Sequence, residues 1–326
     1  CVLASALVRG ACALRAQQLP RLARSSDELG QRALSSAAEQ MQTEPGVAPL
    51  SVPMRASSKQ QFFALHIPKA AGTSWADQVN QILGPRFVSS EGCYSWSEAL
   101  GIEKTIVMLR RPSDHVLSMY YHCASSRWPP KEVKEMLPTT FGAWVQNWTE
   151  IQRRGGAVGD FTSSYDEATF VPTYRTSVPF KCYNPVDMQI QRMSCLKPYN
   201  YPMRADTDLA IRNMQHAAFV GVVEAFHESA CLLSAKLLGE LPVGCNCENQ
   251  DEWNRFYVSN INHGVQHHSL AEYPEHITTA VNKLVEGDRK LYRASVARFL
   301  EDIDVVERER GVKILCNGVR RALIRN

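Results

Sequence analysis

Residues 61–83, QFFALHIPKAAGTSWADQVNQIL, join an apolar run, a lysine-bearing turn and an amphipathic segment within one short stretch. Residues 62–67 are apolar and of strand length, and Pro68 and Gly72 break the run. Beyond the turn, Ala76, Val79, Ile82 and Leu83 recur at the three-and-four spacing of a helix with one buried face. A strand that feeds through a tight turn straight into a helix leaves the first backbone N–H groups of that helix without intrahelical acceptors. Those groups, the positive end of the helix dipole and a nearby lysine together make an anion site. Lys69 is the lysine here, and Thr73 and Ser74 add hydroxyls at the helix start. The expectation is a phosphate cradle.

The turn is not a Walker A loop. That pattern needs two glycines with a lysine after the second, whereas this turn has one glycine with the lysine before it, which disfavours a nucleotide triphosphatase or a nucleotide kinase. Residues 66–74, HIPKAAGTS, instead resemble the 5′-phosphosulfate-binding loop of the sulfotransferases that use 3′-phosphoadenosine 5′-phosphosulfate (PAPS). The likeness is to the Golgi carbohydrate branch, of the heparan sulfate 2-O and 6-O type, whose loop reads close to HIPKTAGTS. It implies an α/β fold, P-loop-NTPase-like and three-layered, with a central parallel sheet. It also implies that Pro68, Lys69, Ala70, Ala71, Gly72, Thr73 and Ser74 surround the phosphosulfate, with Lys69 catalytic at the leaving oxygen.

A second strand-turn-helix lies at residues 104–123, KTIVMLRRPSDHVLSMYYHC. Residues 105–109 form a continuous apolar run, as in a central parallel strand covered on both faces. Arg110 and Arg111 stand at its carboxyl end, Pro112 favours a helix start, and Val116, Leu117, Met119 and Tyr120 supply an apolar face. Ligands of open α/β sheets bind beyond the carboxyl ends of strands, so these arginines and the Lys69 turn are expected to share a crevice. Ser118 follows Arg110 by eight residues, a spacing that lets both side chains reach one phosphate. The segment resembles the family's 3′-phosphate-binding motif, arginine-aspartate-proline followed by that serine. Arg111 departs from it, standing where the family has aspartate, and either alters local ion pairing or adds to anion binding.

The resemblance also implies a general base shortly before the second strand, where related enzymes carry a histidine or glutamate. The matching stretch is residues 90–96, SEGCYSW. Cys93 falls where histidine is common, leaving Glu91 as the nearest suitable group, with His66, His122 and a residue of the 125–206 insertion as alternatives. Loss of the usual base leaves open a catalytically silent relative that only binds nucleotide or glycan. Residues 219–224, FVGVVE, then residues 225–238, read as a further strand and helix similar to one in carbohydrate sulfotransferases, with Glu224 at the strand end to pair with a basic neighbour or orient substrate. Residues 273–303 carry helical spacing and are assigned to packing, Asp288 preceding Leu291 and Tyr292 as in the family.

The remainder of the chain sets the context. Its 326 residues, 44% of them apolar, suit one large domain, here residues 61–306, followed by a basic tail from 307 to 326. A net charge of +3 argues against wholesale nucleic-acid binding but leaves room for a local basic groove. Residues 1–60 read as a stem, targeting or linker segment: the truncated end of a membrane anchor, an arginine-biased transit peptide, or an uninformative tail. Residues 125–206 form a loop-rich insertion expected to carry substrate specificity. Trp128, Trp144, Trp148, Tyr165, Tyr174 and Tyr183 are candidates to stack on sugar rings, or else to pack that region. Arg153, Arg154, Arg175, Lys181, Arg192 and Lys197 are candidates for an acidic glycan acceptor, or plain solvated surface.

Ten cysteines without a paired CxxC array point to disulfides, with Cys182 and Cys195 read as closing a loop. Cys245 and Cys247 are too close to bridge each other easily and call for separate partners; the competing reading is a zinc site with His263, His267 and His268. The chemistry implied needs no metal. With the sequon at Asn147, the cysteines fit a glycosylated protein of the Golgi lumen, anchored by a membrane segment upstream, with an organelle reached by a transit peptide as the alternative.

Overall fold

The structure is a computed structural model that describes residues 60–125, 134–135, 137–153, 161–165, 172–176, 183–195, 205–256, 258–259 and 269–325. The stem or targeting segment expected at residues 1–60 lies outside these save for Gln60. In chain order the main elements are β1 (Phe62–Leu65), α1 (Gly72–Leu83), β2 (Phe87–Ser90), β3 (Lys104–Leu109), α2 (Pro112–Ser125), α3 (Phe141–Arg153), β4 (Phe161–Tyr165), β5 (Pro172–Thr176), α4 (Met188–Ser194), α5 (Thr207–His216), β6 (Phe219–Val222), α6 (Phe226–Leu238), α7 (Glu275–Leu284), α8 (Glu286–Arg310) and α9 (Asn317–Ile324).

Four strands form a parallel sheet in the order β2-β1-β3-β6. Successive side chains of a strand point to opposite faces, so a strand buried at every position is covered on both. That holds for all four residues of β1 and of β6, and for Thr105 through Leu109 of β3. The molecule is thus α/β, with helices over both faces of a parallel sheet. Trp75 of α1 stacks on Phe219 of β6 at 5.6 Å between ring centroids and meets Phe226 of α6 edge-on at 5.5 Å, tying two helices to the sheet.

The strand order fixes where a ligand crevice opens. The chain steps from β1 to β2 on one side, then crosses to β3 on the other, so the topological switch point lies between β1 and β3, beyond their carboxyl ends. The Lys69 turn leaves β1 and the Arg110 turn leaves β3 at that place.

A second apolar cluster backs α2. Val116, Leu117, Tyr120 and Cys123 pack with Phe141, Trp144, Val145 and Trp148 of α3 and with Ile277, Val281 and Leu284 of α7. The region expected to be loop-rich thus contributes α3, the antiparallel hairpin β4-β5 and α4 among the described residues. The expected tail boundary at 307 falls inside α8. Glu307 accepts hydrogen bonds from the backbone N–H groups of Ile314 and Leu315, and both of those side chains sit fully buried in the main core.

Candidate functional site

The lysine turn is held in an unusual backbone shape. Lys69 and Ala71 both adopt left-handed φ values, 64° and 58°, which only a well-braced non-glycine residue sustains. Three contacts supply the bracing. The Ala70 N–H donates to the Ile67 carbonyl at 3.1 Å, the buried His115 Nε2 donates to the Pro68 carbonyl at 2.6 Å, and Arg110 Nη1 donates to the Lys69 carbonyl at 2.9 Å. Burial pushes the His115 imidazole down to about 3, so it stays neutral and keeps the proton it donates. Gly72 serves contact rather than φ: a Cβ there would lie 1.9 Å from Cδ2 of the His66 ring, which covers the turn. His66 Nε2 in turn stands 3.7 Å from Glu91 Oε1.

Helix α2 presents a single face to this turn. His115 and His122 are seven residues apart, two helical turns, with Ser118 between them on the same face. His115 grips Pro68, and His122 Nδ1 lies 3.0 Å from Lys69 Nζ. Ser118 is therefore directed toward the turn by its neighbours above and below. The Tyr183 ring packs on His122 with centroids 5.9 Å apart.

Electrostatics sharpen the site. Burial, then the neighbouring Arg110, push Lys69 from 10.5 down to about 8, with Glu91 acting in the opposite direction. Burial likewise lowers Arg110, offset by Glu224 and Asp114. Two cations taken out of water at neighbouring strand exits favour an anionic ligand.

The arginine turn is fixed by Gln189, which the sequence reading did not assign, and by Glu224, which it expected to pair with a basic neighbour. The Gln189 side-chain amide accepts from the Arg110 N–H and donates to the Arg110 carbonyl, both at 2.9 Å. Glu224 accepts the Arg111 N–H at 2.8 Å and the Tyr292 hydroxyl proton at 2.7 Å, which makes it an anchor of the turn. Arg111 itself pairs with Asp114 at 3.2 Å, so this second arginine brings its own carboxylate partner. Asp288 accepts the N–H groups of Gln189 and Ile190 at 3.2 and 2.8 Å and so caps α4.

Several residues that carried two readings take the structural one. Trp144 and Trp148 are fully buried between α2 and α3 and cannot stack on a sugar. Phe141, Trp144, Val145 and Trp148 follow the three-and-four pattern of one helix face, the signal that foretells this burial. Arg192 is buried as well, and Arg153 is spent on Glu150 at 2.8 Å. Trp128, Arg154, Lys181 and Lys197, and the side chains of Tyr165, Tyr174 and Arg175, lie outside the described residues.

The cysteine pairing also differs from the expected Cys182–Cys195 loop: Cys195 bonds Cys93 across 102 residues. The cause is local packing, since the Tyr94 N–H donates to the Arg192 carbonyl at 2.9 Å and Ser95 Oγ to the Cys195 carbonyl at 3.0 Å, which brings the two Cα atoms to 5.4 Å. Cys182 lies outside the described residues. Cys245 pairs with Cys231 and Cys247 with Cys316, the separate partners expected, and neither thiolate remains for a zinc ion. His263, His267 and His268 lie outside the described residues.

Comparison of the chain with protein-family models, with curated proteins and with solved structures gave no match. The disulfides among the described residues fit an oxidising, lumenal or secreted compartment. Among the described residues no helix is long and apolar enough to cross a membrane.

Proposed function

We propose that the chain is a PAPS-dependent sulfotransferase of the Golgi lumen, built on a P-loop-like fold, that moves the sulfuryl group to a hydroxyl of a carbohydrate acceptor. The observation that carries this reading is the Arg110 guanidinium bonded to the Lys69 carbonyl at the switch point of the sheet, beneath a helix face bearing Ser118. Two desolvated cations on adjacent strand exits suit a nucleotide with anionic groups at both its 3′ and 5′ positions.

In this reading the backbone N–H groups of residues 70–74 and the Thr73 and Ser74 hydroxyls hold the 5′-phosphosulfate against the start of α1. Arg110 and Ser118 hold the 3′-phosphate. Glu91, paired with His66, takes the proton of the acceptor hydroxyl as its oxygen bonds sulfur in line. The bond from sulfur to the bridging phosphate oxygen breaks, and Lys69 stabilises the charge that gathers on that oxygen, so adenosine 3′,5′-bisphosphate leaves. An acidic glycan is the acceptor class suited to a mildly basic chain.

One observation favours a second reading, a silent binding protein on the same fold. Cys93, which stands where relatives carry a histidine, is locked in a disulfide and offers no base. Transfer of labelled sulfate from PAPS to a panel of glycans separates the two. Transfer that Lys69→Ala lowers far more than it weakens nucleotide binding supports the enzyme, whereas tight binding without any transfer supports the silent relative.

A further inference from the structure

Helix α4 belongs to a region set apart for the acceptor, yet its side chains reach the nucleotide end of the site. Gln189 is 1% exposed and lies 79 residues from Arg110 in sequence. Its amide matches both backbone polar groups of Arg110, accepting from N–H and donating to C=O at 2.9 Å each. With the backbone fixed at that residue, the Arg110 guanidinium extends over the lysine turn to the Lys69 carbonyl.

The amide is itself braced. Asp288, fully buried at the start of α8, accepts the backbone N–H of Gln189, and its own N–H donates to Asp187 Oδ1 at 2.9 Å. The other end of α4 is stapled to the loop that carries Glu91 by the Cys93–Cys195 disulfide and by the Tyr94 to Arg192 hydrogen bond. A seven-residue helix thus contacts both the 3′-side arginine and the loop of the proposed base.

We infer that Gln189 is the positioning residue for Arg110, setting how strongly the site recognises a 3′-phosphate, and that α4 is the strut through which the acceptor region and the nucleotide site are aligned. The inference rests on the proposed reading of the crevice. It concerns discrimination between nucleotides rather than the transfer step, because Gln189 touches only the Arg110 backbone among the groups assigned to the site.

The test uses the full chain and two probes, adenosine 3′,5′-bisphosphate and adenosine 5′-phosphate, titrated by calorimetry. Gln189→Glu keeps the acceptor for the Arg110 N–H but, when ionised, sets a carboxylate oxygen against the Arg110 carbonyl. Relative to the wild type at the same pH, the preference for the bisphosphate should fall by about tenfold or more at pH 8 and recover as pH falls and the buried carboxyl, which also faces Asp288, regains its proton, since the neutral acid again donates. A preference equal to that of the wild type at every pH overturns the inference. A wild-type chain that binds both nucleotides equally overturns the reading of the crevice instead.

Should the variant not fold, hydrogen exchange on the wild type decides the matter. The bisphosphate should slow exchange in Met188–Ser194 beyond the effect of the monophosphate, and equal protection by the two contradicts the strut.

Discussion

At the residue scale, Lys69 makes the site sensitive to pH. Its ammonium is held down to about 8 by burial and by Arg110, and a bound phosphate would favour the charged form and raise that value. Well below pH 8 the lysine is protonated in free and bound protein alike, so it adds no pH dependence of its own to anion affinity. Above it the free protein loses a proton that the complex keeps, and affinity falls by up to about tenfold per pH unit until the bound lysine titrates. Calorimetry in buffers of different ionisation heat should therefore show proton uptake on nucleotide binding at pH 8.5 to 9, where the phosphates are already fully ionised; no uptake there would remove Lys69 from contact with the anion. Gly72 offers a second residue-scale check. Gly72→Ala drives a Cβ into the His66 ring, so the ring must leave its place beside Glu91. Nucleotide affinity should drop by about tenfold, and the His66 imidazole resonances should shift, while an unperturbed imidazole spectrum would deny the contact.

At the element scale, the two strand-turn-helix units were legible because each couples an apolar run to a turn and then to a helical period, all within about twenty residues. Helix ends were less so: the strand expected to run to Glu224 stops at Val222, because a short helical turn over Val223–Ala225 redirects the chain and aims the Glu224 carboxylate at Arg111 and Tyr292. Gln189 was invisible for a plain reason. Its role arises from a contact 79 residues away, and nothing in a lone buried glutamine signals which peptide unit it will meet. The aromatic residues of α3 stood between stacking on sugars and packing the region, and their spacing marks the buried stripe that the structure shows, which a direct test can check. Trp144 packs on Tyr120 at 5.7 Å and on Trp148 at 6.2 Å between centroids, fully enclosed. Trp144→Ala should cost roughly 3–5 kcal/mol in a urea unfolding experiment, and a loss under about 1 kcal/mol would mean that the side chain is not in a packed core.

At the scale of the whole molecule, disulfides connect segments that the sheet alone leaves apart. Cys93–Cys195 joins the loop after β2 to the end of α4, and Cys247–Cys316 fastens the segment before α9 to the body of the domain. Sequence spacing could announce that bridges exist, but a pairing across 102 residues is set by the fold and not by proximity along the chain. Removing the first bridge by the paired substitution Cys93→Ala and Cys195→Ala frees a long loop in the unfolded chain and should lower stability by about 2–5 kcal/mol. Thermal unfolding with and without a reductant checks this, and equal midpoints for the variant and the oxidised wild type would show that the bridge contributes nothing.

The central claim is that the turn after β1 and the turn after β3 grip opposite ends of one nucleotide. The most direct measurement is calorimetric titration of adenosine 3′,5′-bisphosphate, adenosine 5′-phosphate and ATP into the wild-type chain and into Arg110→Ala. The account predicts that the wild type binds the bisphosphate at least about tenfold more tightly than either other nucleotide, and that Arg110→Ala abolishes the difference. Equal affinity for all three in the wild type, or a preference for ATP, would contradict it.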